Sequence, residues 1–235
     1  MTQKTVLLIK HSNTWSGDRC SAWFENNGYR LQWCYPCDGD VLPEPKLFDT
    51  AVIFGGRNSA NDHEDWIVTE LKWLESCLKS RCRFFGICLG AQMLAKVLGA
   101  RVWAHPQGLK EIGFTEINPT DGAGSFLTQP MKLFQWHGDG FDLPAGADLL
   151  ATSERFPHQA YRYGVNALSV QFHPEVNLNV ASQWFSMNDD YESEFLDRES
   201  RVGHLDYAKR HDDQITAWFD NMMSEWLLKD QRTVA

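Results

Sequence analysis

The chain has 235 residues, 43% hydrophobic and 23% charged, with a formal net charge of −9. A chain of this length buries roughly 70–75% of its unfolded surface, so one domain over residues 1–235 is expected to fold without disulfide or metal. The acidic balance argues against non-specific nucleic-acid binding and against an anionic membrane surface, because both need a basic footprint, and no stretch reaches the ~18 apolar residues of a membrane span, so neither nucleic acid nor a membrane is expected as a partner.

Val6-Leu7-Leu8-Ile9 is too short for a signal-peptide core and is followed by Lys10, so a cytoplasmic protein is expected. Thr5–Lys10 is β-branched and apolar and reads as a buried strand. Arg19–Asn26 has helical spacing with Asn27-Gly28 as its stop, and Tyr29–Cys34 reads as a second strand. Cys34-Tyr35-Pro36-Cys37 has CxxC spacing, but Asp38-Gly39-Asp40 follows where a redox site needs a helix to begin, so a turn is expected. No second CxxC completes a zinc site. Ala51–Phe54 is a short strand running into Gly55-Gly56. Asp62–Leu78 carries apolar residues on one helical face. Arg83–Ile87 is another strand, followed by a turn and the helical stretch Ala91–Leu98. Alternation of this kind predicts an α/β fold with a largely parallel sheet.

The middle of the chain changes character. Arg101–Trp103, Ile112–Ile117 and Lys132–Trp136 read as strands separated by turns, and Leu149–Ser153, Tyr161–Tyr163 and Ala167–Phe172 continue the pattern. From Val176 the chain reads as helical, including the charged and aromatic Ser186–Arg201, with Asp212–Leu228 the clearest amphipathic segment. One α/β domain with a β-rich insertion in its second half and a helical C-terminus is expected.

The sharpest local feature is Gly86-Ile87-Cys88-Leu89-Gly90, between an apolar strand and a helix. It is the cysteine counterpart of the G-x-S-x-G nucleophile elbow. The glycines allow strand and helix to approach closely, and the sulfur falls at a helix N-terminus where the macrodipole favours thiolate. The Leu89 N–H can face a developing oxyanion. By itself the motif also suits a small buried core cysteine. A second feature, His173-Pro174-Glu175, follows the strand Ala167–Phe172. In extended chain, residues i and i+2 share a face, so His173 and Glu175 point the same way and supply a base and its orienting acceptor. Phe54-Gly55-Gly56 suits either a second backbone donor or an ordinary glycine turn. The remaining histidines form no metal-binding pattern, and His204 and His211 read as surface residues.

In this order the segments Gly86–Gln92 and Phe172–Glu175 resemble the class I glutamine amidotransferases, over Val6 to about Val176. Glu111-Ile112-Gly113, Trp136-His137-Gly138-Asp139 and Gln159-Ala160-Tyr161 resemble the branch related to the glutaminase domain of GMP synthase. The resemblance implies a flavodoxin-like sheet carrying a Cys88-His173-Glu175 triad. It implies an oxyanion hole of the Gly56 and Leu89 N–H groups, and substrate contacts from Gln92, Trp136 and His137. Arg57 departs from the proline that often follows the glycine pair. The implied reaction is hydrolysis of the glutamine γ-carboxamide through a Cys88 thioester, with no cofactor and no metal. The ammonia would pass to a synthetase on another polypeptide, since the chain has no room for one and lacks G-x-x-x-x-G-K-[ST]. A γ-glutamyl peptidase is the second reading, and a non-catalytic binding module the third.

Overall fold

The structure, a computed structural model, describes residues 3–187 and 198–229. In chain order the strands are β1 (Thr5–Ile9), β2 (Arg30–Cys34), β3 (Thr50–Ile53), β4 (Arg83–Ile87), β5 (Val102–Ala104), β6 (Glu111–Pro119), β7 (Met131–His137), β8 (Asp139–Phe141), β9 (Ala147–Thr152), β10 (Ala160–Tyr163) and β11 (Ala167–Val170). The helices are α1 (Arg19–Asn26), α2 (Asp65–Leu78), α3 (Leu89–Val97), α4 (Leu178–Met187) and α5 (Arg198–Ser224), the last running into a wider turn at Glu225–Lys229. The expected helical segment Ser186–Arg201 falls mostly outside the described residues.

Nine strands form one sheet in the order β2-β1-β3-β4-β11-β10-β9-β6-β7. The first five are parallel and the remainder antiparallel. The parallel part has the flavodoxin-like order 2-1-3-4-5, as expected. The β-rich insertion lies between β4 and β11, but it is not a separate layer. Four of its strands extend the same sheet, and only β5 and β8 pair apart from it.

Strand periodicity sets the two layers. Val6 and Leu8 of β1, Val52 of β3, and Phe85 and Ile87 of β4 face one side, where they pack with α1, α4 and α5. Leu7 and Ile9, Ala51 and Ile53, and Phe84 face the other, against α2 and α3. Both faces are buried, which is why these strands read as continuous apolar runs. On α5, Ala208, Ile215, Phe219, Met222 and Met223 are buried at seven-, four- and three-residue spacings, the stripe that lets a long helix lie on a sheet. α1 starts cleanly because the Asp18 carboxylate accepts from the Ser21 N–H at 2.8 Å, an ordinary N-cap.

Among the boundaries that differ from the sequence reading are two helix starts. α2 starts at Asp65, not Asp62, because the Asp62 carboxylate closes a turn by accepting from the Ser59 N–H at 2.9 Å. α3 starts at Leu89, not Ala91, so that Cys88 itself is the N-cap.

Candidate active site

In open α/β sheets, ligands bind beyond the carboxyl ends of the strands. Here the chain leaves β1 at Lys10-His11, β3 at Phe54-Gly55-Gly56, β4 at Cys88 and β11 at Gln171-Phe172-His173. His11, Gly55, Gly56, Cys88 and His173 all line one cleft of about 940 Å³, together with Gln92, Trp136 and His137.

Cys88 has φ 51° and ψ −102°, and no other non-glycine described residue has a positive φ. The strained backbone is held from both sides. The Cys88 N–H donates to the Val170 carbonyl at 2.8 Å, and its own carbonyl accepts from the Gln92 N–H at 3.0 Å. The flanking glycines are required by space. A Cβ on Gly86 would stand 2.7 Å from Ser169 Oγ and 2.8 Å from the Gly90 backbone, and one on Gly90 would collide with the Ile53 carbonyl. Leu89 is the first residue of α3, where N–H groups have no acceptor within the helix.

His173 is buried beside the sulfur. Its Nδ1 lies 2.8 Å from Glu175 Oε1, so Nδ1–H donates to the carboxylate, and the other ring nitrogen remains for the hydrogen bond with Cys88. Burial alone would pull the imidazole down, but the charges of Glu175 and Cys88 outweigh it and raise its pKa from 6.5 to about 10. A folded-state value above the unfolded one gives stability that is complete below pH 6.5 and is lost as the pH rises through about 10. Wild type is therefore expected to lose more stability than Glu175→Gln between those two pH values, as read from urea midpoints.

The turn that follows His173 is held by a buried arginine. Arg19 donates from its guanidinium to the carbonyls of Pro174 at 2.5 Å and Val176 at 3.0 Å, and from its backbone N–H to Glu175 O at 2.8 Å. Its remaining nitrogens reach Asp212 at 2.7 Å and Thr216 at 2.8 Å on α5. Arg19→Ala would strand these acceptors, and is expected to cost roughly 2–4 kcal/mol. Arg19→Lys should recover little of it, because an ammonium lacks the fork. Chemical denaturation of the two variants checks this.

The three supporting segments of the sequence converge in one buried network. His137 Nε2 lies 3.1 Å from Glu111 Oε2, and its Nδ1 lies 2.9 Å from the Asp139 carbonyl. Glu111 also accepts from Ser153 Oγ at 2.7 Å and Gln159 Nε2 at 2.8 Å, and Gln159 accepts from Gln135 at 2.8 Å. The Gln92 amide donates to the Asp139 carbonyl at 3.2 Å and to Gln171 Oε1 at 3.3 Å, and the Gln171 amide donates to Cys88 Sγ at 3.6 Å. The Trp136 carbonyl lies 4.0 Å from the same sulfur.

Sequence reasoning missed His11 and Glu70. The His11 side chain is 2% exposed and Glu70 is fully buried, with 3.1 Å between Nε2 and the carboxylate. His11 Nδ1 lies 3.2 Å from the Gly55 carbonyl. A signal was present: Glu70 shares the buried face of α2 with Ile67, Leu74 and Cys77, and a carboxylate on an apolar stripe needs a partner. His204, expected at the surface, instead packs over Gly113, and its Nδ1 accepts from the Phe114 N–H at 3.1 Å. Cys37 lies within a single 3-10 turn, Pro36–Asp38, which Gly39 ends at φ 98°, so a turn and not a long helix follows Cys34, in keeping with the expectation. Burial pushes the Cys34 thiol up to about 11, the opposite of what a redox cysteine needs. Among the described residues no group of three or more His, Cys, Asp or Glu could hold a metal ion, and no helix is long and apolar enough to cross a membrane.

A family model described as "Glutamine amidotransferase class-I" matches residues 32–188. The chain is 28% identical, over 98% of both sequences, to the glutamine amidotransferase-like protein YfeJ of Salmonella typhimurium. It is 30% identical to gamma-glutamyl peptidase 5 of Arabidopsis thaliana over 61% of each. A glutamine amidotransferase structure from Thermotoga maritima superposes with a TM-score of 0.88 at 28% identity, covering 97% of this chain and 100% of that one.

Proposed function

The chain belongs to the class I glutamine amidotransferases, and on that premise we propose that it hydrolyses the γ-carboxamide of glutamine through a Cys88 thioester. The observation that carries this is the hydrogen-bonded line from Cys88 to His173 to buried Glu175, built on a strained elbow. His173 takes the thiol proton, and the Cys88 sulfur attacks the γ-carbonyl carbon. The Gly56 and Leu89 N–H groups receive the oxyanion. His173 protonates the departing ammonia, then removes a proton from the water that releases glutamate from the thioester. Glu175 keeps the Nδ1 proton in place and stabilises the imidazolium, the role of the third triad member.

Gln92, Trp136 and His137 form the wall that holds the glutamyl group. Both His137 nitrogens are engaged by Glu111 and Asp139, so His137 serves by fixing the loop and not as a base. No nucleic acid, membrane, cofactor or metal takes part, and a cytoplasmic location fits this chemistry. The ammonia released passes to a synthetase.

A second reading, cleavage of γ-glutamyl peptides, is favoured by the size of the cleft. About 940 Å³ is near the upper end of small-molecule sites and leaves room beyond a γ-glutamyl group. The peptidase relative supports the same reading. The experiment is ammonia and glutamate release from purified protein, run on glutamine and on a γ-glutamyl dipeptide, with Cys88→Ala as control. Slow, Cys88-dependent turnover of glutamine alone supports the amidotransferase. Faster cleavage of the dipeptide supports the peptidase. Activity retained in Cys88→Ala discards the mechanism.

A further inference from the structure

The buried pair His11–Glu70 has no part in the triad, yet His11 lines the cleft beside the nucleophile. Its Nδ1 lies 3.2 Å from the Gly55 carbonyl. A carbonyl only accepts, so Nδ1 must carry a proton. On the other side of the ring both Glu70 oxygens lie 3.1 Å from Nε2. One proton shared between Nε2 and that carboxylate leaves Nδ1–H in place whichever partner holds it.

The carbonyl of Gly55 and the N–H of Gly56 belong to one planar trans peptide, in which they point in opposite directions. Fixing the carbonyl on His11 therefore turns the Gly56 N–H away from the imidazole. Among the described residues, no hydrogen bond from that N–H to a backbone or side-chain acceptor is found. The two residues have little slack. A Cβ on Gly55 would stand 2.6 Å from His173 Cε1 and 3.3 Å from Cys88 Cβ, and one on Gly56 would stand 3.1 Å from His11 Nδ1. A glycine pair has the freedom to flip its peptide, and an outside donor is what holds one orientation.

We propose that His11 is a positioning residue for the oxyanion hole: its Nδ1–H grips the Gly55 carbonyl and, backed by Glu70, holds the Gly56 N–H facing the Cys88 site. This rests on the hydrolytic reading above for its effect on rate, but not for its geometry. Burial would lower the His11 pKa, yet Glu70 and the Gly55 carbonyl raise it, in keeping with a ring that donates from Nδ1.

The test compares two double variants alike at position 70. H11L/E70L removes the donor and the anion together, so no buried charge is left alone. H11N/E70L restores only an N–H donor near the place of Nδ1. In H11L/E70L, kcat on the better substrate is expected to fall about 10²-fold with KM little changed, the effect of a lost oxyanion donor. H11N/E70L should regain about tenfold. Alkylation of Cys88 by iodoacetamide forms no oxyanion and should stay within about twofold of wild type. Full activity in H11L/E70L overturns the proposal, and so does an alkylation rate that falls in step with kcat.

A second measurement needs no variant to fold. The ¹H–¹⁵N correlations of the wild-type His11 ring should show a proton on Nδ1 from pH 6 to 9, and a bare Nδ1 overturns the proposal. If wild type hydrolyses neither substrate, this ring measurement decides: a protonated Nδ1 upholds the placement of the peptide and discards only the substrate.

Discussion

Cys88→Gly should abolish turnover and yet unfold at a higher temperature than Cys88→Ala. Loss of the nucleophile costs on the order of 10⁶ in rate in a comparable hydrolytic triad, which leaves nothing measurable here. Stability runs the other way from the usual rule. Glycine is ordinarily about 0.5–1 kcal/mol worse than alanine in regular structure. At φ 51°, ψ −102°, however, any side chain carries strain of about 1–3 kcal/mol, and glycine removes it. The net gain of Gly over Ala is about 1 kcal/mol, or roughly 2–4 °C in a domain of this size. Thermal unfolding of the two inactive variants checks the sign directly. Alanine equal to or above glycine would mean that the elbow is not held at positive φ.

Gly90→Ala should cost more than about 3 kcal/mol and sharply reduce soluble protein. The added methyl would meet the carbonyl oxygen of Ile53 and, at 2.9 Å, its Cβ. These belong to the central strand β3, bonded on both sides to β1 and β4. Neither strand nor helix can retreat without breaking that ladder. Gly203→Ala is the control. Gly203 is an exposed position of α5 with nothing within 4 Å of a built Cβ, so alanine should add about 0.5–1 kcal/mol of helix stability. Urea midpoints of the pair should move in opposite directions.

The parallel half of the fold was legible because four of its strands, β1, β3, β4 and β11, are buried on both faces and its helices are short and regular. The segments around Cys88 and His173-Pro174-Glu175 were legible for a related reason: each is a local device, complete within five residues. What sequence reading could not supply was pairing across elements. His11 and Glu70 stand 59 residues apart, and each looks ordinary alone. The same holds for Arg19, which reads as one more helical charge until Asp212 and Thr216 of α5 arrive beside it. Glu111, His137 and Gln159 were noticed as separate segments, but their shared network exists only once β10, β9, β6 and β7 are assembled in that order in one sheet. The β-rich insertion was legible as such, but which of its strands extend the sheet was not, because strand adjacency depends on pairing between runs and not on any single run.

The seating of β11 between β4 and β10 has a consequence for the order in which the protein is made. Cys88 and Gln171 touch across 83 residues of chain. Closing so large a loop carries an entropy cost that only the finished sheet repays. During synthesis, β1 to β4 can pair while the thiol is already exposed at the strand end, with no imidazole beside it. His173 arrives only after the whole antiparallel segment has been made. The grip of Arg19 on its turn is completed later still, when α5 brings in Asp212 and Thr216. A nascent chain therefore carries the Cys88 thiol without its imidazole, and under the proposed mechanism the cysteine becomes a nucleophile only at the last stage of folding.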